Sequence, residues 1–360
     1  MATVSIGSRV SPVRDYGTFK LFADAVLAGT VTGASTSDPI LGEFYPDSPF
    51  NDDIVTILTS DPGDSYSECV MQPAATFEHD MTEGSGVVFK LTANAAAGYY
   101  NCDRTPYHIK GVEFDAAGFR ATTGTGATAL VRGAGLGGRK PKFSRLMIHG
   151  VKTSNRAVGL DLSGSYSCAI MVYDIESTHT GSQPCRGVSF INSATQSAHM
   201  ASLTVDDIRN TGGAGLAYAI DVANNAARTV DCCVASTPTG TSSGAKAAFN
   251  GGSSIGGTNN AAGDTSISWG SSNQPSLTPA NIWQATSVGV GYLKTKASGA
   301  LEDTGKTVSD PTTTPSIDMS LDALGNDRAS VTTEDIGVHE LELDGAVGAT
   351  TSPWNYYAQQ

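Results

Sequence analysis

The order of apolar and polar positions divides the chain into one helical stretch followed by many short extended ones. In DYGTFKLFADAVLAG, Phe19, Phe22 and Val26 fall at i, i+3 and i+7, and Leu21 and Ala25 widen the stripe. That spacing predicts an amphipathic helix over about Tyr16 to Ala28. From about Asp53 onward the pattern becomes brief runs rich in β-branched and apolar residues, among them DIVTILTS, YHIKGVEFDA, FSRLMIHGV, AIMVYDIES, GVSFINS, ASLTVDDIRN and AYAIDVAN. Each is bounded by turn residues, and none resembles a ten-residue helix.

Between 145 and 250 these runs form two alternating series. One is RLMIHGV at 145, IMVYDIES at 170, LTVDDIRN at 203 and RTVDCCVA at 228; the other is VGLDLS at 158, GVSFINS at 187, YAIDVAN at 218 and KAAFNGG at 246. Steps within each series run from 25 to 33 residues, which fits one solenoid coil per step. Each strand then pairs with its counterpart one coil above and below, and turns such as NTGGAG and NGGSSIGGTNN project outward. The fold expected is all-β: a right-handed parallel β-helix solenoid with a short N-terminal capping helix and a C-terminal cap and tail. Its parts are a cap with the helix over 1–52, coils over 53–270, and a Pro-rich cap and tail over 271–360 covering the last coil.

Composition agrees with a turn-rich chain: 41 glycines, and only 16% charged residues. A hydrophobic content of 39% argues against disorder. With 22 basic against 35 acidic residues the formal charge is −13 and the basic residues are scattered, so no nucleic-acid partner is expected. The one basic knot, Arg139, Lys140, Lys142 and Arg145, reads as a loop and strand-edge feature that keeps edges from pairing with other chains. No stretch approaches the roughly 20 apolar residues of a membrane span, so no membrane insertion is expected. The opening MATVSIGSRVSPVRDYG lacks the basic and apolar regions of a signal peptide, which implies synthesis in a cytoplasm. Six cysteines (Cys69, Cys102, Cys168, Cys185, Cys232 and Cys233) form no CxxC pair and no metal-ligand spacing with the six histidines; they read as buried thiols.

Glycan cleavage needs paired carboxylates across a groove. Asp174 with Glu176, and Glu113 with Asp115, lie two apart on a strand and share a face, whereas the adjacent Asp206 and Asp207 point to opposite faces. As outward strand positions, all of these read first as solvated acids. His149, His179 and His199 fall near successive coils, but nothing in the sequence sets a carboxylate or thiol beside them, so each reads as a polar surface or turn residue. There is no GxSxG elbow or P-loop lysine, RGAGLGG at 132–138 leads into a strand rather than a helix, and the Asp-rich turns DPGDS and NDD lack ordered calcium-ligand spacing. No catalytic, cofactor-binding or metal residue is assigned.

Two passages carry a family resemblance. RDYGTFKLFADAV resembles the opening helix "DYxTLxxWxxA" of right-handed parallel β-helix proteins of the pectate-lyase-like class, common in bacteria and their phages. PSIDMSLDALGNDRASVTTEDIGVHELEL resembles the closing segment of that group through Ile317, Asp318, Gly325, Asn326, Arg328, Asp335, Ile336, Gly337 and Glu340, and lacks its Gly shortly after Asp318. For DIGVHE around His339 the resemblance implies a structural cap. It implies architecture rather than activity. The expectation is a phage virion surface structural protein, a capsid decoration or stabilising protein or a short spike, synthesised in the host cytoplasm. Its partners would be other virion proteins and copies of itself. The alternatives are a tailspike-type polysaccharide-cleaving enzyme and a non-enzymatic binder of a host-surface receptor, a glycan among them.

Overall fold

The computed structural model describes residues 1–8, 14–35, 37–47, 49–50, 55–57, 66–91, 100–102, 107–116, 128–133, 140–181, 184–191, 198–223, 228–289, 292–302, 304–311, 316–325, 328 and 335–339. Arg139, Asn326, Glu340, the DPGDS and NDD turns and most of the RGAGLGG stretch lie outside the described residues.

The chain is all-β, with parallel strands in three stacked sheets that it visits in turn. The first sheet runs Ala2–Ile6, Pro39–Phe44, Glu68–Pro73, Tyr107–Lys110, Lys142–Ser144, Tyr166–Cys168, Ala198–Ala201 and Arg228–Asp231. The second includes Val88–Lys90, Glu113–Asp115, Met147–Thr153, Met171–Ser177, Thr204–Val205 with Ile208–Asn210, Val234–Ala235 and Ala261–Ala262. The third includes Thr128–Gly133, Ala157–Asp161, Cys185–Phe190, Ala217–Val222 and Lys246–Asn250. Spatial order follows chain order in every sheet, which is the topology of a solenoid. In the first sheet the register passes from His108 to Lys142, Tyr166, His199 and Thr229. The first sheet begins at Ala2, inside the segment expected to be only a cap.

The third-sheet series read from the sequence matches the observed register, Val158 to Arg186 to Tyr218 to Ala247. In the other series RTVDCCVA straddles two sheets: Arg228–Asp231 belongs to the first, and Val234 is the residue that pairs with Thr204 in the second.

The corner between the first and second sheets has a fixed two-residue geometry. Its first residue is left-handed in six successive coils: Gly111, Arg145, Ala169, Ser202, Cys232 and Asn259 have φ between 52° and 71°. Their N–H groups donate to the next coil, Arg145 to the Cys168 carbonyl, Ala169 to Ala201 and Ser202 to Asp231, at 2.9–3.1 Å. The second residue points inward, giving a buried column of Val112, Leu146, Ile170, Leu203, Cys233 and Asn260. At the last of these an asparagine replaces the apolar group, and its amide oxygen accepts from the Cys233 N–H at 2.9 Å. A left-handed L-residue costs roughly 1–2 kcal/mol, so the corner persists because its hydrogen bonds and buried column outweigh that strain.

The helix spans Phe19–Ala28, with the Thr18 hydroxyl accepting from the Leu21 N–H at 3.1 Å and Gly29 left-handed at its end. Phe19, Phe22, Ala23 and Val26 are buried and join Phe44, Phe89 and Tyr100 in an aromatic core. Leu21 is 55% exposed and does not widen the stripe; the seated face is narrower than the sequence suggested. A side chain at Gly42 would come within 2.8 Å of the Phe22 ring, so this glycine lets the helix seat.

Residues after 276 do not simply cover the last coil. Those of them that the structure describes run back along the outside of the second sheet and the first corner as a strap. Its Ile282, Trp283, Tyr292, Leu301, Ile336 and Val338 pack with Met147, Met171 and Val234. Ile317 and Met319 pack with Cys168 and Cys232. Backbone and side-chain bonds fasten it, Gly337 N–H to the Cys232 carbonyl at 2.9 Å and the Arg145 Nε–H to the Ala323 carbonyl at 3.4 Å. The physical reason is the outward column Met147, Met171 and Val234, an apolar strip on a sheet face that otherwise meets water. The closing motif belongs to this strap: buried Arg328 donates to the carbonyls of Gly337, at 2.7 Å, and Asp335.

Leu203→Ala is expected to lower unfolding free energy by roughly 2–5 kcal/mol. Ala169→Gly, which relieves left-handed strain, should change it by no more than about 1 kcal/mol. Urea denaturation of the two variants checks the contrast.

Candidate functional site

Strand register converts distant residues into columns, and two polar columns stand on the outside of the stack. On the second sheet Lys90, Asp115, His149 and Tyr173 are in register. His149 is 5% exposed; its Nε2 lies 2.8 Å from Glu113 Oε1, and its Nδ1 is 3.7 Å from Glu83 and 3.9 Å from Asp115. The Tyr173 ring stacks on the imidazole at 4.9 Å, nearly parallel, and its hydroxyl donates to Glu83 at 2.9 Å. The Gly84 N–H donates to the other Glu113 oxygen at 2.8 Å. Beyond it the strap residue Tyr292 meets Tyr173 edge-on and donates its hydroxyl to Asp206 at 2.7 Å.

Burial works against the imidazolium of His149, but the hydrogen bond and charge of Glu113, then the charges of Glu83 and Asp115, outweigh it and raise the pKa. The other shifted histidines move the opposite way. Burial lowers those of His79 and His108, and that of His339 to about 4. The cluster has the residue types of acid–base chemistry, yet the segment carrying Glu83 and the strap lie over it, leaving little access for a substrate.

The acids singled out from the sequence are brought to different partners. Glu113 and Asp115 do share a face, on His149. Asp174 and Glu176 converge on Arg209, and Lys152 pairs with Glu176 at 2.8 Å. Asp207 also pairs with Arg209, at 3.4 Å. Asp206 and Asp207 do not face opposite sides: Asp207 has φ 48°, which breaks the strand alternation and leaves both outside the core. Among the histidines, His149, His179 and His199 do not meet. His199 sits 3.0 Å from Asp231, which also pairs with the strap residue Lys306 at 2.8 Å. Burial raises the Asp231 pKa, but His199 and Lys306 outweigh it and leave it low. The sequence missed both His–carboxylate pairs because their members are 36 and 32 residues apart; one coil length is the signal that would have joined them.

The basic knot is not a strand-edge guard. Lys140 donates to the Tyr166 hydroxyl at 3.1 Å, burial lowers the Lys142 pKa to about 8, and Arg145 is buried at the corner in an ion pair with Glu78. The six cysteines are buried and none is in a disulfide among the described residues; burial raises the thiol pKa of Cys69, Cys168, Cys185 and Cys233, that of Cys185 to about 12.

The second column, on the third sheet, is Arg132, Asp161, Ser189, Asp221 and Asn250. Beside it stand Arg186 and, one strand on, Tyr218. Asp221 takes an ion pair from Arg186 on one oxygen and the Asn250 amide on the other at 2.8 Å. Asp161 accepts from Ser163 at 2.8 Å and lies 3.7 Å from Arg132; burial raises its pKa against the opposing pull of these groups, Arg156 and Arg186. An open cleft of about 460 Å³ lies here, lined by Arg186, Tyr218, Asp221, Asn250, Gly251 and Gly252 among others. No family, curated protein or solved structure matches this chain.

Because the folded pKa of His149 is raised above its ordinary value of 6.5, its contribution to stability is complete below that value and is lost as pH rises through the folded pKa. Urea unfolding from pH 6 to 8.5 should show stability falling with pH. The lowered histidines act below pH 6.5, where protonating them destabilises the fold. His149→Gln should flatten the upper limb and cost roughly 3–5 kcal/mol at pH 6, where it leaves Glu113 buried without its cation.

Proposed function

We propose that the protein is a structural component of a phage particle surface, a capsid decoration or stabilising protein or a short spike. In this reading the three stacked sheets are a right-handed parallel β-helix of the pectate-lyase-like type, with the helix Phe19–Ala28 closing one end. The opening and closing motifs support the type, and the general right-handedness of parallel crossovers supports the hand. The observation that carries the proposal is the strap. It is fastened from Arg145 to Ala262, covers the apolar strip of the second sheet and leaves the His149 cluster closed. A rod braced along its side suits a mechanical role; a catalytic centre beneath the brace does not. Partners in this reading are neighbouring particle proteins and further copies of the chain.

The open cleft on the third sheet favours a second reading, a polysaccharide-cleaving or receptor-binding spike. Against cleavage, both oxygens of Asp221 are already engaged, so it is not poised as a free base.

Gradient-purified particles, probed by peptide mass spectrometry and immunogold labelling, test the proposal. Constant stoichiometry with the capsid protein and label on the shell or tail are expected. A chain that stays in the soluble fraction of the lysate, with none on particles, would overturn it.

A further inference from the structure

On a chain of formal charge −13, the outer face of the third sheet gathers Arg132, Arg156 and Arg186 around the carboxylates Asp161 and Asp221. Arg156 and Arg186 repel each other closely enough that, after burial, this repulsion lowers the Arg156 pKa.

Arg186 is 6% exposed and lines the cleft. Its Nε is held by Asp221, which fixes the plane of the guanidinium, while its Nη1 has no hydrogen-bond partner among the described residues. The buried Ser189 hydroxyl, between Asp161 and Asp221 in the column, is likewise unpartnered among the described residues. A buried guanidinium donor left unmatched is costly, and an oxyanion is the group whose geometry fits a guanidinium fork. Tyr218 stands on the adjacent strand with its ring beside the cleft, and Gly251 and Gly252 line the opening without side chains.

We propose that this cleft is a binding subsite for an oxyanion, a carboxylate, sulfate or phosphate, with Arg186 as its anchor and Tyr218 as the wall against which the bearer of the anion packs. Asp221 is a positioning residue that holds the guanidinium in place. The subsite stands independently of where the protein resides in a particle.

Isothermal titration calorimetry on the full chain tests it, with inorganic sulfate and phosphate in one arm, and acetate and glucuronate in the other, against neutral glucose as control. Saturable binding of an oxyanion and none of glucose is expected. The first arm alone binding identifies a free inorganic ion; tighter binding of glucuronate than acetate identifies an anion carried on a larger body. The double variant Arg186→Gln with Asp221→Asn, which leaves no charge unpaired, should lose at least tenfold in affinity. Arg186→Lys, which keeps the charge and loses the fork, should also weaken binding and serves if the double variant does not fold. Tyr218→Ala should weaken glucuronate and leave sulfate unchanged. No saturable binding of any oxyanion, or unchanged affinity in a folded Arg186 variant, overturns the proposal.

Discussion

The structure depends on one requirement: the backbone groups of each coil find their partners only in the coils next to it. Among the described residues no strand returns as a hairpin, so register there is not set by a tight local turn. It is set at the corner between the first and second sheets. There a left-handed residue and a buried one recur in six successive coils, and the N–H of the first reaches the next coil's carbonyl. Alignment at that corner fixes which side chains stack outside, and both polar columns follow from it.

The outside of the stack is used unevenly. The second sheet presents a mixed strip, methionine beside histidine and glutamate, that water would serve poorly, and the strap closes it with apolar side chains and a tyrosine hydroxyl for Asp206. The third sheet presents arginine, aspartate, serine and asparagine, which tolerate solvent, and it stays open. One solenoid therefore has a braced face and a receptive face, a difference rooted in what each column places outward.

Much of the architecture was legible in the sequence where an element was long or strictly periodic. The helix showed itself through Phe19, Phe22 and Val26, and the third-sheet strands through runs such as GVSFINS and YAIDVAN whose apolar residues survive a shift of one position. The later strands of the first sheet were not separable from those of the second, because strands of three or four residues such as Lys142–Ser144 and Tyr166–Cys168 carry too few positions to show alternation. The last of them was merged with the next sheet in RTVDCCVA, since the corner at Cys232 is left-handed without a glycine to announce it. The strap was hidden for another reason: Met147 and Met171 lie within continuous apolar runs, and such a run does not reveal that its outward members await a cover. Of the candidate chemistry, the acids and histidines could be named singly, but their pairings needed the register. The cleft, made by Arg186, Tyr218, Asp221 and Asn250 from three strands, had no signature within any one segment.

The corner also decides where the chain tolerates a change of length. Its two residues keep one geometry although successive coils advance by 34, 24, 33 and 30 residues, as the steps through His108, Lys142, Tyr166, His199 and Thr229 measure. All of that variation is taken up outside this corner. Lengthening a closed loop costs only slowly growing entropy, so an insertion there leaves the stack intact, whereas one residue added at the corner would turn every following side chain of its strand inside out. The molecule thus has a spine that admits no editing and a margin that can be rewritten freely, and new surfaces can be grafted onto the margin without renegotiating the fold.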